Sequence, residues 1–107
     1  AKEGFTLYID KNPKGQYLED SYYYRGDACY QLKEYKASAV SYALILKKFP
    51  KSKQIPSTRL KYAKSILELN KKDEAVMYLK SIVQDYPKSP ESKKAEELLG
   101  TLTSKNL

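Results

Sequence analysis

Histidine is missing from the 107 residues, and cysteine occurs once, as Cys29. The first absence removes the usual general base near neutral pH. The second rules out an intrachain disulfide and leaves no cysteine cluster for a metal. Cys29 lies on an apolar stripe without an activating partner, so it is expected to pack as a small hydrophobe. Glu96 and Glu97 fall on a charged helix face, and no metal-ligand or glycine-rich phosphate-binding pattern occurs. The expectation is a non-enzyme with no catalytic residue, metal, cofactor or small-molecule substrate.

Long hydrophobic runs are missing too. No apolar stretch reaches the roughly 18 residues of a membrane span, and nothing resembles a charged-then-apolar secretory leader. The sequence opens on Ala1 rather than Met, as expected of a piece of a longer protein. Its 20 Lys and Arg against 13 Asp and Glu leave a net charge of +7. That balance favours anionic partners and salt-sensitive encounter without fixing a fold. The lysines Lys47, Lys48, Lys51 and Lys53 cluster near one break, where a solvated loop accounts for them better than an acidic partner or a polyanion does. At this length one unit, 1–107, is expected.

What is present is a repeat. Pro13, Pro50 and Pro87 stand 37 residues apart. Eight residues before each stand Phe5, Tyr42 and Leu79, and five before stand Tyr8, Ile45 and Ile82. Thirteen after each comes a small residue: Gly26, Ala63 and Gly100. A fixed period of this size marks a helical array. Apolar residues recur at three and four, with Leu18, Tyr22, Cys29 and Leu32 on one stripe and Tyr35, Ala39, Tyr42, Ile45 and Phe49 on the next. The same pattern follows in Leu60, Ala63, Ile66 and Leu67, then Ala75, Leu79, Ile82 and Val83.

The spacing predicts helices over 17–31, 34–48, 55–69, 72–85 and 89–104, preceded by the second helix of an incomplete repeat within 1–13. About six helices result, arranged as an all-α solenoid with repeats at 17–50 and 55–87 and a capping helix at 89–104. Proline cannot continue a helix and disfavours helical geometry before it, so each Pro ends a pair. The small residues are expected where paired helices cross closely, with Ser38 and Ala75 as their counterparts.

These positions resemble the tetratricopeptide repeat. Tyr22, Gly26, Ser38, Tyr42 and Pro50 stand at its consensus places, and Ala63, Ala75, Leu79 and Pro87 stand there again. The familiar unit has about 34 residues; here three more follow each proline. Arg25 stands where the repeat usually has Leu. The ending "YPKSPESKKAEELLG" is similar to that of the periplasmic Tol–Pal-associated cell division coordinators, and to a lesser degree to that of the outer-membrane β-barrel assembly lipoproteins. The first likeness implies a periplasmic scaffold that binds the central Tol inner-membrane subunit and links cell-wall synthesis to outer-membrane constriction. It also implies oligomerisation through a coiled coil, which these 107 residues do not include. An assembly-lipoprotein-like or other envelope or motility scaffold is the alternative within the same class.

First helices of such pairs line the concave face. The outward positions there are Asp20, Tyr23, Asp27 and Tyr30, then Ser57, Leu60, Lys64 and Leu67, and these are the candidate partner-binding residues. Tyrosine offers broad apolar contact with one polar tip, which suits a groove for a helix or an extended peptide. Of the run Tyr22, Tyr23 and Tyr24, at least one must face solvent, because three successive residues point three ways from a helix. Polyanion binding, to nucleic acid or an acidic polymer, is the alternative of another class; no nucleic-acid-binding signature accompanies the charge.

Overall fold

The computed structural model describes residues 16–104. Five helices occupy them: α1 (Gln16–Gln31), α2 (Tyr35–Lys48), α3 (Ile55–Glu68), α4 (Lys72–Asp85) and α5 (Pro90–Ser104). The described residues contain no strand. All five helices fall within two residues of the expected spans. The helix expected within 1–13 lies outside the described residues.

Each break has a local cause. Phe49 and Tyr86, the residues before Pro50 and Pro87, accept no helical geometry: they sit at φ −127°, ψ 57° and φ −132°, ψ 58°. Those ψ values stop short of the extended conformation that the prolines predict, and each residue's N–H still donates to the helix behind it, to Ile45 O and Ile82 O. After the second break, Ser89 Oγ accepts the N–H of Ser92 at 3.1 Å, and Pro90 opens α5. Serine as cap with proline next to it is a strong helix start.

The turns inside the pairs are closed differently. Lys33 and Asn70, again 37 residues apart, take left-handed φ values of 62° and 64°. Around them Glu34 N donates to Cys29 O at 2.8 Å and Lys71 N to Ile66 O at 2.9 Å. These bonds satisfy carbonyls that the helix ends leave open, in the manner of a Schellman cap. Asparagine tolerates the conformation; lysine carries the steric cost of its Cβ.

Consecutive helices pack side by side, and α3 also touches α5. One core cluster joins α3 and α4 through Ala63, Ile66, Ala75, Leu79 and Ile82, all at most 1% exposed, and extends to Ala95 of α5. A second, of Leu18, Tyr22, Ile45 and Ile55, joins α1 to α2 and the start of α3. Burying a side chain such as Leu79 contributes about 1.5–3 kcal/mol, so these clusters carry the pairing. Cys29 is fully buried.

Three expectations need correction. Leu32 is 60% exposed, because it lies past the last residue of α1, where the helical stripe no longer applies. The counterpart of Gly26 is Tyr42 and not Ser38. A Cβ at Gly26 would lie 2.5 Å from Cε1 of the Tyr42 ring, which is itself 1% exposed and cannot swing away. Among the described residues Gly100 is at no crossing: a Cβ there would meet none of them within 4 Å, since no described helix packs on that side of α5.

The two glycines therefore separate. Gly26→Ala should lower stability by about 1–3 kcal/mol through overpacking, whereas Gly100→Ala should be neutral or raise it by up to about 1 kcal/mol through helix propensity. Urea titration followed by circular dichroism distinguishes them, and equal effects would contradict the Gly26–Tyr42 contact. In the same assay Lys33→Gly should stabilise by about 0.5–1 kcal/mol, since glycine takes positive φ without steric cost.

Candidate functional site

Alternate helices share a face, and polar side chains tie its members together. Gln54 Nε2 donates to Asp20 Oδ1 at 3.3 Å. The Tyr23 hydroxyl donates to Ser57 Oγ at 3.0 Å, and Ser57 donates on to Gln54 O. Lys61 Nζ pairs with Asp27 Oδ1 at 2.8 Å and lies 4.2 Å from the centre of the Tyr23 ring. Each of these three ties joins residues 34 apart. Neighbouring first helices thus meet with an offset of three residues from the 37-residue repeat.

Asp27 is the hub. Its Oδ1 also accepts the Tyr42 hydroxyl at 2.5 Å, so α1, α2 and α3 converge on one oxygen. Burial pushes the Tyr42 phenol far above the usual tyrosine range, and the hydrogen bond to Asp27 adds to it. Burial works against charge on Lys61, but the bonds to Asp27 and Tyr23 outweigh it and raise its pKa. The Tyr30 phenol is raised by burial first and by Glu68 next; its ring meets Tyr35 edge to face at 5.2 Å. In the next pair the Tyr62 phenol, which donates to Glu74, is pushed up to about 12, mainly by burial.

Three hollows run along this face and share Lys64. The first, about 180 Å³, lies between α1 and α3 against Asp27, Tyr30, Gln31 and Tyr42. The second, about 270 Å³, is bounded by Tyr23, Ser57 and Lys61 on one side and Pro90, Glu91 and Lys94 on the other. The third, about 350 Å³, continues between α3 and α5 to Glu97, Leu98 and Thr101. Together they make a groove with a partly apolar floor and charged walls.

Of the candidate residues, Asp20, Tyr23, Asp27, Tyr30, Ser57 and Lys64 are at this face. Leu60 is 6% exposed and belongs to the core, reaching the groove only as part of its floor. Leu67 is half-buried against the same core. Tyr22 is buried, Tyr23 half-buried and Tyr24 55% exposed, the three directions expected of consecutive helical residues. Lys47, Lys48, Lys51 and Lys53 are all exposed.

Sequence reasoning missed Lys61 and the whole α5 wall. The offset explains the first: the 37-residue repeat pairs Asp27 with Lys64, whereas contact pairs it with Lys61. The polar face of α5 reads as a cap, yet it carries Glu91, Lys94 and Glu97 into the groove. Among the described residues no three His, Cys, Asp or Glu side chains are grouped to hold a metal. No described helix is long and apolar enough to cross a membrane.

Residues 58–89 match the tetratricopeptide repeat family. The match takes in most of α3, all of α4 and the hinge after Pro87, and it supports a tetratricopeptide domain, a module that generally serves protein–protein interaction. No curated protein matches the chain.

The raised Tyr42 phenol has a pH consequence. Above pH about 10 tyrosine ionises in the unfolded chain, while Tyr42 stays protonated when folded. Stability from this group is therefore complete below that pH and is lost as pH rises beyond it. Tyr42→Phe should make the alkaline fall of unfolding free energy shallower by about 1.4 kcal/mol per pH unit. Chemical denaturation at a series of pH values above 10 measures this, and an unchanged slope would show that Tyr42 ionises in the native state.

Proposed function

We propose that the 107 residues form a single non-catalytic interaction domain whose groove across α1, α3 and α5 holds a segment of a partner protein. The observation that carries this reading is the groove's composition. Lys64 and Lys94 make no ion pair with any described residue, and they stand over a floor containing Leu60 and Leu98 beside Tyr30. Apolar floor with unengaged polar walls suits a peptide, whose side chains fill hollows while its charges meet the rim.

The likeness of the sequence to the Tol–Pal-associated cell division coordinators supports a periplasmic location. On that reading the partner is the central Tol inner-membrane subunit, and the domain coordinates cell-wall synthesis with outer-membrane constriction. Oligomerisation through a region upstream of Ala1 belongs to the same proposal.

The test is titration calorimetry of the chain against the purified periplasmic part of the central Tol inner-membrane subunit. A double change, Tyr30→Ala with Lys64→Glu, should weaken binding by at least about tenfold, as loss of an interface anchor does, and leave helical circular dichroism unchanged. Tyr23 is left intact because it ties α1 to α3. Unchanged affinity in the double variant would move the site out of the groove, and no heat with the unmodified chain would remove the Tol partner.

A further inference from the structure

The positive charge is not spread evenly. Residues 32–53 hold six lysines and one carboxylate, so five of the seven net charges belong to α2 and its flanks. Every one of those lysines is exposed. On α2 itself Lys36, Val40, Ala43 and Lys47 fall on one stripe, since steps of four, three and four residues at 3.6 per turn return to nearly the same direction. The stripe faces away from Ser38, Tyr42 and Ile45, which are buried. Val40 is 50% exposed at its middle. The corresponding stripe of α4, 37 residues on, reads Asp73, Met77, Lys80 and Gln84, with no net charge. The basic stripe is thus a property of α2 and not of the repeat.

At the N-terminal end of the stripe lies a hollow of about 560 Å³ between α1 and α2, lined by Arg25, Lys33 and Lys36 over Ala37 and Val40, with Glu34 as its one acid. Arg25 replaces an apolar consensus residue; its Nε is buried with no hydrogen-bond partner among the described residues. In the second pair the same place holds Tyr62, which is satisfied by Glu74. The first pair has Ala37 where that glutamate would be. Glu34 is the one carboxylate lining the hollow, against the three cations Arg25, Lys33 and Lys36, so the hollow keeps an excess of positive charge.

We infer that the outer face of α2 docks an acidic amphipathic helix of a partner protein, with carboxylates towards both ends and small aliphatic side chains at its centre. Lys36 and Lys47 lie about 16 Å apart along the axis, so two carboxylates three turns apart meet them while the centre covers Val40 and Ala43. A carboxylate at one end enters the hollow beside Arg25 and Lys33. A hollow of this shape takes a projecting side chain, which a flat lipid surface does not supply, and one exposed valine is too little apolar area for insertion into a bilayer. This surface lies on a second helix of a pair, apart from the groove, and stands or falls without it.

The test uses a fluorescent synthetic helix of about four turns, with glutamates at both ends and leucine at the centre. Fluorescence anisotropy should show binding that weakens several-fold as salt rises from about 50 to about 500 mM. Lys36→Glu with Lys47→Glu should lower affinity at least tenfold, Arg25→Gln should lower it measurably, and Lys64→Glu in the groove should leave it unchanged. The substituted lysines are exposed, and circular dichroism checks that the fold persists. Equal binding by the double variant, or by a peptide with lysines in place of its glutamates, would overturn the proposal. So would tighter binding to anionic phospholipid vesicles or to duplex DNA than to the acidic helix.

Discussion

Asp27 accepts the Tyr42 hydroxyl from its own helix pair and the Lys61 ammonium from the next, and the geometry of the groove depends on that shared carboxylate. Gly26, one residue earlier, makes the arrangement feasible: without a Cβ, α1 lets the Tyr42 ring lie against its backbone. The ring's position brings its hydroxyl to Asp27, and Asp27 holds Lys61 under the face of Tyr23. Removing either partner of a partly buried ion pair of this kind destabilises the fold, because the remaining charge loses its compensation. Close packing and electrostatics are therefore coupled at one place, and the spacing between the first two hollows follows from it.

The two helix pairs solve the same contacts with different chemistry. Tyr22 in the first pair sits under Lys48, whose Nζ lies 5.8 Å from the ring centre. Thirty-seven residues on, Arg59 pairs with Asp85 at 2.7 Å and lies over the Tyr86 ring. Cation and partner have exchanged helices, yet each brings a first helix to the end of its second. Between the pairs, the hydroxyls of Ser38 and Ser65 approach to 2.9 Å and each reaches a backbone carbonyl, so small buried polar groups are satisfied where α2 meets α3. The repeat constrains size and position more tightly than it constrains charge, which is how one unit can carry a basic outer stripe and the next a neutral one.

Much of this was legible in the sequence. The five described helices could be placed because prolines at a fixed interval end them and apolar residues recur at three and four. Tyr22, Tyr42, Ala63, Ala75 and Leu79 could be assigned to the interior because helical spacing sets their direction. Contacts between helices were less accessible. Gly26 invites a small counterpart by analogy, but the gap left by a missing side chain is filled by a large ring. Leu32 obeys the periodicity of a helix that has already ended. Lys33 carries no sign of its left-handed backbone, since glycine or asparagine is the residue that announces such a turn. The groove was found on its α1 and α3 sides and missed on α5, whose charged residues read alike whether they face water or a cleft.

The three-residue offset between repeat and contact has a geometrical result. At 1.5 Å of rise per residue, each unit is slid about 4.5 Å along the helix axis relative to its predecessor, so equivalent positions climb like the treads of a staircase. A polypeptide crossing the helices squarely would meet Asp27, then Lys61, residues of unlike kind. To touch the same rung of each unit it must run on a diagonal, and its own spacing of side chains must be cut to that slope.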